Sequence, residues 1–118
     1  MTDPSLITSR TQDSPKIYAF IYPDVPSHKG YIKIGYTTRS VRQRVREITK
    51  TSGLNYRILL TESAMRNDGS SFRDSDVHAV LRHNGFTQHP EGREWFRCTI
   101  DDVKHAISAV RNRELDLS

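Results

Sequence analysis

Two short stretches near the start of the chain interleave apolar side chains with reactive ones at the period of a β-strand. The first is Ile17-Tyr18-Ala19-Phe20-Ile21 and the second Tyr31-Ile32-Lys33-Ile34-Gly35-Tyr36-Thr37. Strand side chains alternate faces with a period of two. If the two strands pair, Ile17, Ala19 and Ile21 share a face with Ile32 and Ile34, while Tyr18 and Lys33 fall together on the opposite face. A lysine between two isoleucines needs either a partner or a route for its ammonium to water. Arg44 follows on what reads as the first helix. A phenol and an ammonium on a rigid sheet beside an arginine suit the cleavage of a phosphodiester.

The 118 residues suffice for one domain with a small core, and 35% hydrophobic against 27% charged residues suits a soluble protein. No apolar run approaches the roughly 18 residues that span a bilayer, and the start lacks an apolar leader, so no membrane is expected. A single cysteine, Cys98, excludes an internal disulfide and points to a reducing cytoplasm. Residues 1–15, rich in Ser, Thr, Asp and Pro, read as a disordered lead-in. The domain then occupies 16–112, and 113–118 form a polar tail compatible with a linker to a further domain. The net charge is +4. Arg39, Arg42, Arg44, Arg46 and Lys50 are concentrated in one segment, which suits DNA phosphates and equally suits a solvated helix face.

Ser40 is a good N-cap for a helix from about Val41 to Thr51, with an apolar stripe of Val41, Val45 and Ile48 and Gly53 as its stop. At about 100° per residue Arg44 flanks that stripe, whereas Arg42, Arg46 and Lys50 point outward. Asn55 to Ser63 reads as a third strand. Ser71-Phe72-Arg73-Asp74 fits a capping box opening a helix to about Asn84, stopped by Gly85. Pro90 to Arg93 reads as a turn, Glu94 to Cys98 as a short strand with Glu94, Trp95 and Phe96 in the core, and Thr99-Ile100-Asp101-Asp102 as a second capping box. The order is β-β-α-β-α-β-α.

Asp74 and His78 are four apart and share a helical face that Leu81 continues. A carboxylate there can hold one divalent cation, Mg²⁺ or Mn²⁺ for an oxygen site, or can serve only as the acidic member of the capping box. Asp76 is a second candidate for the metal. His78 reads as a ligand, a base or a polar residue of the helix face. With no CxxC and no close pair of histidines, zinc does not fit. The sequence has no GxGxxG, P-loop or GxSxG motif.

Ile17-Tyr18, then Lys33-Ile34-Gly35-x-Thr37, then Arg44, then Asp74-x-x-Val77-His78, then Glu94-Trp95-Phe96 form an ordered set. This set resembles the GIY-YIG nuclease superfamily, in its phage-type branch, also labelled a phage DNA-binding or meiotically up-regulated-gene domain. The resemblance covers residues 16 to 112. It implies a small α/β (α+β) fold, a three-stranded antiparallel sheet flanked by helices, and metal-dependent hydrolysis of DNA. It implies that Tyr18 orients or deprotonates the attacking water, that Lys33 takes the place of the second motif tyrosine, and that Arg44 stabilises the transition state. Asp74 falls at the metal-binding position, and His78 is a hallmark of the branch. Lys16 replaces the first glycine of the motif, aspartate replaces glutamate at position 74, and Ile48 stands where several members carry His or Tyr.

The expectation is a DNA endonuclease-like domain with Tyr18, Lys33, Arg44 and His78 as catalytic residues and Asp74 holding one Mg²⁺ or Mn²⁺. Arg39, Arg42, Arg46 and Lys50 are expected to contact DNA. The alternative is a non-catalytic DNA-binding module joined to a helicase or restriction-type protein. A third reading is a protein-interaction domain with an incidental basic patch.

Overall fold

A computed structural model describes residues 14–113. The expected lead-in over 1–15 therefore lies outside the described residues except for Ser14 and Pro15, and the tail over 113–118 lies outside except for Arg113. The elements are β1 (Lys16–Ile21), a 3-10 turn (Pro26–His28), β2 (Tyr31–Thr37), α1 (Val41–Thr49), β3 (Arg57–Ser63), α2 (Asp74–His83), β4 (Thr87–His89), β5 (Gly92–Arg97) and α3 (Ile100–Asn112). Among the described residues no helix is long and apolar enough to cross a membrane.

The strands form one antiparallel sheet in the order β3-β1-β2-β5-β4. This corrects the expected three-stranded sheet and the order β-β-α-β-α-β-α: the sheet has five strands, and two of them separate α2 from α3. Thr87-Gln88-His89 has no alternating apolar pattern to mark it as a strand. Tertiary contacts make it one. His89 Nε2 donates to the Ser27 carbonyl at 2.9 Å, and His89 Nδ1 accepts from the Glu91 backbone N–H at 3.1 Å. The turn of the β4–β5 hairpin is thereby tied to the β1–β2 loop.

Both faces of the sheet are covered. Ile17, Ala19, Ile32, Ile34, Leu60 and Phe96 pack beneath α2 and α3 with Val77, Leu81, Val103 and Ile107. Tyr18, Phe20 and Trp95 lie on the other face, beneath Val41 and Val45 of α1. The β1–β2 register pairs Tyr18 with Gly35, Ala19 with Ile34 and Phe20 with Lys33. The expected division of side chains between the faces therefore holds, with Phe20 joining Tyr18.

The caps explain where the helices start. Ser40 Oγ accepts from the Gln43 N–H at 3.3 Å, and Thr99 and Asp102 exchange the two bonds of a capping box at 3.2 and 2.8 Å. On α2 the register differs from the expected one. Arg73 is the N-cap, and Asp76, not Asp74, accepts from its backbone N–H at 2.9 Å. Asp74 is thus released from capping duty.

α2 is also latched to the sheet. Pairing of β2 with β5 reaches Lys33↔Trp95, and at the next residue the buried His78 ring donates from Nε2 to the Ile34 carbonyl at 2.8 Å. A carbonyl only accepts, so Nε2 carries the proton. Replacing His78 with Phe removes a buried donor, and the expected result is a loss of about 1–3 kcal/mol in stability. Urea unfolding checks this, and an unchanged midpoint would show that the latch contributes nothing.

Candidate functional site

Tyr18 stands on β1 directly opposite Gly35 of β2. Its ring is buried and stacks against Phe20 at 6.1 Å between centroids. The far end of the phenol lies flat over the Gly35 backbone, where a Cβ would come within 2.3 Å of both Cζ and Oη. Glycine at 35 is therefore a space requirement of the tyrosine, not of a turn.

Arg44, on α1, stands close enough to the phenol for its guanidinium charge to act on the Tyr18 oxygen. It is half-buried, while Arg42, Arg46 and Lys50 on the same helix are exposed, as the helical wheel implied. Burial pushes the Tyr18 phenol up to about 12. The Arg44 charge works against that rise, and the Glu94 and Asp74 carboxylates add to it. Tyr18 therefore keeps its proton at neutral pH and can both accept from Arg44 and donate to a ligand.

Lys33 finds the partner its position demands. Its ammonium lies 3.3 Å from a Glu94 carboxylate oxygen and 5.6 Å from the Phe20 ring centre. Glu94 was expected in the core with Trp95 and Phe96; those two are buried, but the Glu94 side chain is 45% exposed. Its carboxylate forms the ion pair with Lys33 instead of packing with those two rings.

Asp74 and His78 line a cleft between α2 and the β4–β5 hairpin, together with Glu94 and Arg93 on the opposite wall. Asp76 is not among its lining residues. Arg44, Glu94 and Asp74 lie within electrostatic reach of the Tyr18 phenol, and Lys33 pairs with Glu94, while Tyr18, Arg44 and Lys33 are not among the residues lining the cleft. His78 shares the cleft, with Nε2 already committed to Ile34.

The residues expected to contact DNA lie apart from that cleft. Arg42, Arg46 and Lys50 recur every four residues along α1 and its C-cap. Arg39 donates from one nitrogen, Nη2, to both carboxylate oxygens of Glu47 at 2.8 and 3.2 Å, so its charge is already paired.

For a metal, the donors are few. Asp76 is spent on the α2 cap and Glu94 on Lys33, which leaves Asp74. Among the described residues no three His, Cys, Asp or Glu side chains group as a cation site. A lone carboxylate fits a Mg²⁺-like ion that keeps most of its waters and takes phosphate oxygens from a substrate.

The T5orf172 domain matches residues 17–111 of the chain. The uncharacterized protein YeeC of Bacillus subtilis (strain 168) is 30% identical over 100 residues, covering 75% of this chain and 26% of that protein. The chain thus spans about a quarter of the length of that relative. No solved structure matches.

Proposed function

The chain belongs to the T5orf172 domain family, a phage-type class of DNA-binding, nuclease-like modules, and from that premise we propose that it is a GIY-YIG-type endonuclease. The reaction is hydrolysis of a DNA phosphodiester with one Mg²⁺ or Mn²⁺. The observation that carries the reading is that the Arg44 guanidinium and the Asp74 carboxylate both act electrostatically on the buried Tyr18 phenol.

In this reading Arg44 donates to the non-bridging oxygens as charge builds on them. It is already half-buried beside the Tyr18 phenol, so little rearrangement is needed during the reaction. Tyr18, held as a neutral phenol, orients the attacking water by hydrogen bonding and does not act as a phenolate base. Lys33, fixed by Glu94, adds positive charge beside the phosphate. His78 positions Asp74 by holding α2 against β2. A divalent ion held by Asp74 would supply charge at the leaving oxygen.

The test is a plasmid-nicking time course in Mg²⁺, in Mn²⁺ and in EDTA. The expected result is nicked circles with either metal and none in EDTA. No nicking in any condition, with DNA binding retained, would overturn the enzyme. That outcome would favour a module that binds DNA without cutting it, possessed of one donor carboxylate and a phenol that stays protonated. The greater length of YeeC suits a domain of either kind joined to others, of which a helicase or restriction-type partner is one form.

A further inference from the structure

The cleft between α2 and the β4–β5 hairpin carries positive charge that the chemistry above does not use. Arg73, Arg82 and Arg93 line it around Asp74, His78 and Glu94. Asp74, His78 and Arg82 recur every four residues along one face of α2. That row extends about 12 Å at 1.5 Å per residue. Arg93 stands on β5, across the cleft.

These arginines have little else to satisfy them. Glu94 is held by Lys33, so Asp74 is the uncommitted carboxylate among three guanidiniums. Among the described residues Arg82 and Arg93 make no ion pair, and both are exposed. Arg73 lies over the Tyr36 ring at 4.3 Å, which fixes the plane of its guanidinium and leaves its N–H edge for a ligand. Planar donor forks on two walls of an open groove match the phosphate oxygens of a chain lying between them. The α1 cations stand on one convex helix surface, and Arg39 is already paired with Glu47.

We infer that this cleft is the channel for the DNA strand, with Arg82 and Arg93 binding phosphates on either side of Asp74. The inference rests on the DNA-binding reading above, and it moves the main backbone contacts from α1 to α2 and the hairpin. Each phosphate contact contributes about 0.9 to the slope of log affinity against log salt.

The experiment is fluorescence anisotropy of a labelled DNA duplex in EDTA over a salt series, so that cutting plays no part. The parent is compared with Arg82→Gln/Arg93→Gln, Arg82→Lys/Arg93→Lys and Arg42→Gln/Arg46→Gln, each checked for folding by thermal unfolding. The cleft glutamine pair is expected to bind about tenfold or more weakly near about 100 mM salt and to flatten the salt slope by about 2. The lysine pair keeps most of the affinity, and the α1 pair loses less than the cleft pair. If the folded cleft glutamine pair matches the parent in affinity and slope, the channel is wrong while DNA binding stands. If the parent does not bind the duplex, the DNA-binding reading fails and the channel with it. Displacement of DNA by polyglutamate as readily as by a phosphate chain of equal charge would overturn phosphate recognition in favour of an acidic protein partner.

Discussion

Replacing Arg44 with alanine is expected to slow DNA nicking by about 10²-fold or more, with folding and DNA affinity close to those of the parent. The size of the effect follows from where Arg44 sits. It is half-buried at the edge of the α1 seam, where its charge acts on the Tyr18 phenol. It thus meets the reacting phosphate in a partly desolvated setting, where a charged donor is worth far more than on an open surface. The outward-facing Arg42 and Arg46 lack that setting. Arg44→Lys is not expected to restore the rate, because an ammonium cannot present a planar donor fork to the phosphate oxygens. Initial nicking rates at saturating protein check this. A folded Arg44→Ala protein that nicks at the parent rate would remove Arg44 from the chemistry.

Gly35→Ala is expected to damage both stability and activity. The added methyl would sit 2.3 Å from the Tyr18 Cζ and Oη, and the ring cannot simply swing aside. It is buried, stacked on Phe20 and covered by the α1 residues Val41 and Val45. Overpacking of this kind costs about 1–3 kcal/mol. The displaced hydroxyl also loses its place beside Arg44, so nicking falls with stability. Urea unfolding in two backgrounds separates the causes. In a Tyr18→Leu protein the same alanine should cost clearly less, because the clashing atoms are gone. Equal costs in both backgrounds would show that the glycine is required for some other reason.

The central strands and the N-caps of α1 and α3 could be read from the sequence because their signals are local. Alternation placed Tyr18 and Lys33 on one face, and Ser40 and Thr99 announce their helices by side-chain chemistry alone. Arg44 was distinguishable from its neighbours because helical periodicity states which arginine borders the apolar stripe. The sheet was misread where pairing depends on distant contacts. Thr87-Gln88-His89 becomes a strand through the bonds of His89 to Ser27 and Glu91, not through its own composition. The start of α2 was displaced because Ser71 and Arg73 each have an aspartate three residues on, and the backbone used the second pair. That small shift changes the site, since it assigns Asp76 to the cap and leaves Asp74 for the cleft. The cleft arginines carry no sequence signature. Arg73 and Arg82 lie on or beside α2 and Arg93 on β5, and they meet only once the hairpin has docked. A charged residue next to the strand-like Trp95-Phe96 pair was the available hint for Glu94, and its bond to Lys33 gives that hint a meaning.

Single-turnover cleavage of a labelled duplex in Mg²⁺, run in parallel with binding in EDTA for the parent and Asp74→Asn, reads the chemistry apart from DNA capture. Convergence of Tyr18, Arg44 and Asp74 on one phosphate predicts that both proteins bind equally well and that the asparagine protein cleaves about 10²-fold more slowly or not at all. Equal cleavage by the two would contradict it.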